Sequence, residues 1–221
     1  MCSLHARPAQ RTPRQGVLAV NPVPAFVPPL RPSGYAAGVI VVGVVSPSEP
    51  ASPAVLGVAR RCAATGARTE IVGAVPADPR GDRLLLELAT GEVGHATVQR
   101  TTAEPEAADL DLALRYLPEI RVIVLAAAGR TLLSTAARAA AWSGATLVLV
   151  DDGPVPDDLP VVPLVLAPPA RDPDETFAGF LAALAVRLDG GLDPRRAWEE
   201  TVSGLAADRI TEPVAPTTTR D

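Results

Sequence analysis

The chain predicts an α/β protein: a three-layer, doubly wound α/β/α arrangement around a mostly parallel sheet. Three observations carry this expectation. Apolar runs of strand length alternate with stretches of helical length through most of the chain, the pattern of strands joined by helical crossovers. Several runs are continuous Val, Ile and Leu rather than alternating, as in strands covered on both faces. A hydrophobic content of 48% in 221 residues supplies enough apolar surface for a buried core.

In chain order, strands are expected at Ala37 to Val45, Thr69 to Val75, Ala96 to Gln99, Val122 to Ala127, Thr146 to Asp151 and Val161 to Leu166. Helices are expected between and after them, at Ser52 to Thr65, Pro79 to Ala89, Glu106 to Leu117, Arg130 to Ser143, Pro173 to Leu188 and Pro194 to Asp208. Asp78-Pro79 reads as a capped helix start. Asp172 or Asp193 can cap the last two helices, Pro173 or Pro194 can occupy their first turns, and Gly190-Gly191 ends the earlier one. Phe177, Phe180, Leu181, Leu184 and Leu188 fall at helical spacing as one apolar stripe, and Trp142 and Trp198 read as packing residues.

Residues 1–34 hold seven prolines with no periodic pattern and are expected to form a flexible extended segment, the alternative being a start assigned too early. Residues 35–210 make the α/β domain, and 211–221 a flexible tail.

Composition excludes several kinds of function. The head carries four arginines and no acid; removing them from the 20 basic residues leaves 16 against 25 acids in the rest of the chain, a net of −9. Such a body repels nucleic acid and anionic lipid. The absence of lysine rules out a P-loop of the Gly-Lys-Ser/Thr kind and a Schiff-base enzyme. Two cysteines, Cys2 and Cys62, and two histidines, His5 and His95, make neither a disulfide framework nor a Cys/His metal site. Free thiols and the lack of a signal-peptide core predict a cytoplasmic protein, with no metal centre.

Three segments carry a family likeness. The first runs from Ala59 to Asp82 and includes Val72-Gly73-Ala74-Val75-Pro76-Ala77-Asp78-Pro79-Arg80-Gly81-Asp82. The second runs from Leu114 to Pro118, through Val122 to Leu125, then Ala136 to Asp151. The third is Thr176-Phe177-Ala178-Gly179-Phe180-Leu181, followed by Leu192-Asp193-Pro194-Arg195-Arg196-Ala197. In this order and spacing they resemble the ribokinase-like, or PfkB, sugar kinases. That resemblance implies transfer of phosphate from Mg-ATP to a sugar-like hydroxyl. It places Glu175 at the proton-accepting position, Asp172, Asp174 and Thr176 at the phosphate-holding turn, and Ser46, Ser48 and Asp78 toward the substrate.

The departures from the family pattern bear on activity. The family's closing box reads Gly-Ala-Gly-Asp; here it is Asp172-Pro173-Asp174-Glu175. Asn21 is the only asparagine, so the family's Asn-x-x-Glu magnesium motif is missing from the body. The lid strands and part of the C-terminal half are missing too. Pro173 removes an N–H donor, and three carboxylates stand where a triphosphate would rest. Like charges about 4 Å apart repel by roughly 1 kcal/mol in water and about 4 kcal/mol at an effective dielectric near 20, which offsets the helix dipole.

Two readings of Glu175 stay open: a general base, or part of an acidic first turn retained for helix stability. Asp78 reads as a cap or a ligand, and Asp151-Asp152-Gly153-Pro154 as a cation site at a strand end or as ordinary turn chemistry. The expected function is that of a PfkB-type kinase-like protein by descent with weak or no phosphotransfer, using Mg-ATP if active. The alternative is a non-catalytic binding or assembly module working as a homo- or hetero-oligomer.

Overall fold

In the computed structural model the described residues are 38–47, 53–126, 129–172 and 175–210. The head, the tail, Ser48 and Asp174 therefore lie outside the described residues. Six strands and six helices follow one another: β1 Val39–Val45, α1 Pro53–Ala64, β2 Thr69–Val75, α2 Pro79–Thr90, β3 Val98–Arg100, α3 Ala107–Tyr116, β4 Ile120–Ala126, α4 Arg130–Ser143, β5 Thr146–Val150, β6 Leu164–Leu166, α5 Thr176–Asp189 and α6 Pro194–Ile210.

The strands form one sheet in the order β3-β2-β1-β4-β5-β6, and every pairing is parallel. The order reverses between β1 and β4. This is the topological switch point, where the strand ends of open α/β sheets leave a crevice. The interior stretches of the central strands are apolar because they feed two cores in alternation. Ile40, Val42, Val122, Val124, Val148 and Val150 face the core shared with α1, α2, α5 and α6. Val39, Val41, Ile123, Leu125, Leu147 and Leu149 face the core shared with α3 and α4. A two-sided sheet has no solvent face on which polar residues could alternate.

The departures from expectation have local causes. β6 begins at Leu164 rather than Val161, because Pro163 has no N–H to give the ladder. β3 is confined to Val98–Arg100, paired with Gly73 to Val75. α5 begins at Thr176, not Pro173. Its apolar surface is also wider than one stripe: every residue from Leu181 to Val186 is buried, along with Leu188 and Asp189. The helix is wedged between the sheet, α1 and α6, so nearly every direction meets protein. Trp142 is a correction, being 77% exposed on the outside of α4. Trp198 is 42% exposed and meets the ring of Phe180 edge-on, with centroids 5.1 Å apart.

Glu70 on β2 is a charged residue set against the apolar interior of the sheet. It is half-buried, and its Oε2 is buried without a hydrogen-bond partner. It fits because residue 94 is glycine: a Cβ there would fall 2.2 Å from the Glu70 carboxyl. Desolvation holds this carboxyl above its ordinary pKa, outweighing the nearby charges of Arg68 and His95.

The native state therefore binds the proton more readily than the unfolded chain. The stability penalty is present at neutral pH and disappears as pH falls through the raised native value toward the ordinary one. Glu70→Gln is expected to be more stable than wild type at pH 7, with the difference closing below about pH 4. Urea titrations of both proteins across pH check this; a variant less stable at pH 7 would contradict it.

Candidate functional site

The turn entering α5 is built by side chains that satisfy the helix end. Glu175 is the N-cap residue, in the left-handed region at φ 51°, and its side chain makes no capping bond. The cap comes instead from Asp172. Its carboxylate accepts the backbone N–H of Phe177 at 3.0 and 3.1 Å and that of Ala178 at 3.2 Å. The Glu175 N–H donates to the Asp172 carbonyl at 3.1 Å, closing the turn. The free N–H groups at a helix start, with the positive end of its dipole, are where an anion binds. Here the chain's own carboxylate occupies them.

Glu175 is directed elsewhere. Its Oε2 accepts from an Arg61 Nη at 3.1 Å, joining α5 to α1. Both side chains are part-exposed, so the pair contributes little, about 0 to 1 kcal/mol. Close approach of the helices depends on Gly57: a Cβ there would lie 3.1 Å from the Ala178 methyl and 3.4 Å from Glu175 Oε2. One turn on, the Cys62 thiol faces the Ala182 carbonyl at 3.8 Å, and burial pushes its pKa well up, leaving an inert thiol. Thr176 occupies the first helical position.

The other expected site residues serve separate local tasks. Ser46, just past the end of β1, donates to the Glu104 carboxylate in the connection from β3 to α3. Asp78 caps α2, accepting from the N–H groups of Arg80 at 2.8 Å and Gly81 at 3.2 Å. Those bonds, the Gly81 one foremost, hold its pKa below the ordinary value. Asp151 accepts from the Gly153 N–H at 2.7 Å, which is turn chemistry. Among the described residues, Asp172, Glu175 and Thr176 are the expected site residues brought together, at one helix start.

Sequence reasoning missed Arg61, which lies 114 residues from its partner; only the packing of α1 on α5 joins them. Among the described residues, no group of three or more His, Cys, Asp or Glu could hold a metal ion, and no helix is long and apolar enough to cross a membrane.

Loss of the Asp172 cap has a measurable consequence. Asp172→Ala is expected to lower unfolding free energy by about 1 to 2 kcal/mol, while Asp172→Asn keeps most of it. Urea denaturation of the two variants tests this; equal losses for both would mean that capping is not the role of Asp172.

The fold and site together define an α/β/α domain whose helix α5 is capped by the chain's own Asp172. No protein-family model and no curated protein matches the chain. Among solved structures it is similar to Sa239, with 11% identity and a TM-score of 0.55 over 84% of this chain and 97% of that one. Carbohydrate kinases are also among its structural neighbours. They include a fructokinase with bound ATP from Xylella fastidiosa (15% identity, TM-score 0.41, 76% of this chain and 69% of that one) and a ribokinase II from E. coli (11%, 0.43, 78% and 70%). At such identities the likeness concerns fold.

Proposed function

We propose that this chain is a PfkB-type carbohydrate-kinase-like domain by descent in which phosphotransfer is weak or lost. One observation supports this above the others: the Asp172 carboxylate sits on the Phe177 and Ala178 N–H groups, the donors that would otherwise cradle a transferring phosphate. A phosphate arriving there must displace a carboxylate held by charge-assisted hydrogen bonds and meet the repulsion of its neighbours. The residues present therefore do not fit Mg-ATP at this turn. Glu175, the candidate base, spends its carboxylate on Arg61.

Calorimetric titration with Mg-ATP to millimolar concentration is expected to give no saturable heat. A magnesium-dependent binding isotherm would overturn the proposal and restore the reading in which Glu175 takes the proton of a sugar-like hydroxyl.

An assembly role is the second reading, favoured by the sheet edge that β6 forms among the described residues. Val162 is 95% exposed beside the edge strand β6, and Val165 within it is 46% exposed. Unpaired edges carrying apolar residues are sites of strand or face pairing. This reading expects a dimer or larger species by light scattering; a monomer at all concentrations would refute self-assembly.

A further inference from the structure

We infer that residues 22–32 of this chain dock on the outer face of α3 and α4, against Tyr116 and Trp142. The face presents large apolar side chains to solvent. Leu112 and Tyr116, one turn apart on α3, are 54% and 75% exposed, and Trp142 stands out from the last turn of α4. The inner sides of the two helices are committed to the core through Leu110, Leu114, Leu133 and Ala137. A chain with two tryptophans and two tyrosines thus leaves one of each on this outer surface.

Position selects the occupant. Both helices end where the sheet begins, α3 leading into β4 and α4 into β5. The strands being parallel, the head joins β1 at that same end. The Val39 N–H donates to the Glu119 carbonyl at 2.9 Å, three residues past Tyr116. β5 lies two strand spacings from β1, about 10 Å. From Gly38 back to Pro32 the chain can span about 20 Å, so residues 22–32 reach both aromatic rings.

Chemistry agrees with position. This stretch holds Pro22, Pro24, Pro28, Pro29 and Pro32 with Phe26, Leu30 and Arg31. Proline-rich segments lie on exposed aromatic rings at small entropic cost, and a guanidinium stacks on Trp or Tyr. The head carries four arginines and no acid, and the body is net negative by nine, so the two attract.

The test uses the full-length protein. Chymotrypsin cleaves after Phe26. An arm docked nine-tenths of the time should be cut about tenfold more slowly than in the Tyr116→Ser/Trp142→Ser variant, whose changes lie on the surface. In a Trp198→Phe background, acrylamide quenching of Trp142 should rise about threefold when Pro28, Pro29 and Arg31 are all changed to Ser, since docking shields the ring. Equal cleavage rates, or quenching indifferent to the arm, would overturn the inference. Shielding that vanishes on dilution would overturn it in favour of a second copy of the chain.

Discussion

Leu184→Ala is expected to lower the unfolding free energy by about 3 to 4 kcal/mol, a large share of the 5 to 15 kcal/mol typical of a domain. Leu184 is 0% exposed in the middle of α5, the helix held between the sheet, α1 and α6. Many of its cluster companions are small, among them Ala59, Ala63, Ala182 and Ala185. Alanines have no length with which to fill a void, so the cavity persists and its cost adds to the lost transfer energy. Urea denaturation followed by circular dichroism measures the change. A loss under about 1 kcal/mol would mean that α5 is not the helix on which this core closes.

Gly81→Ala is expected to cost about 2 to 4 kcal/mol, beyond the ordinary range for a single added methyl. A Cβ on Gly81 would lie 1.9 Å from the Pro76 carbonyl oxygen and 3.0 Å from its carbon. Backbone cannot rotate aside as a side-chain tip can, so the first turn of α2 must move. That movement also breaks the Gly81 N–H bond to Asp78. The cause is space: Gly81 is not among the glycines with positive φ. Gly144 is the natural control, with φ 71° and nothing within 4 Å of an added Cβ. Gly144→Ala should cost only the left-handed strain of about 1 to 2 kcal/mol. Thermal melts of the two variants compare them; equal shifts would show that the Pro76 carbonyl gives way at little cost.

The same glycine shows what a motif likeness contains. Asp78, Gly81 and Asp82 match the resemblance as a string, and the structure gives a physical reason for each of them. Asp78 caps the helix, and Gly81 lets the helix pass the Pro76 carbonyl. Asp82 pairs with Arg100, the last residue of β3. Each reason is structural, so this string survives without requiring any substrate.

Strands and helices were legible because periodicity is a local property. The continuous run Ile71-Val72 in β2 and the capped start Asp78-Pro79 announce themselves within a few residues. The candidate site was legible only in part. That acids stand at the start of α5 is visible in the string Asp172 to Glu175. That Asp172 can cap the helix is visible there too, and the structure bears it out; that Glu175 turns away to Arg61 is not visible.

Trp142 shows the same limit from the other side. Its apolar neighbours suggest burial, yet the helix turns it outward, and a single residue cannot report which way its helix faces.

By itself, then, the amino-acid order determined the alternation of elements, the two-sided sheet, the net charge of the body and the chemistries that lysine and asparagine would have allowed. The sequence also offered Asp172 as a cap for this helix, which the structure bears out; tertiary structure alone decided that Glu175 answers to Arg61, a partner 114 residues away. Secondary structure follows from interactions within a few residues. The partner of the Glu175 carboxylate is a donor that the folded chain brings to within about 3 Å of it, and nothing nearby in sequence specifies that donor.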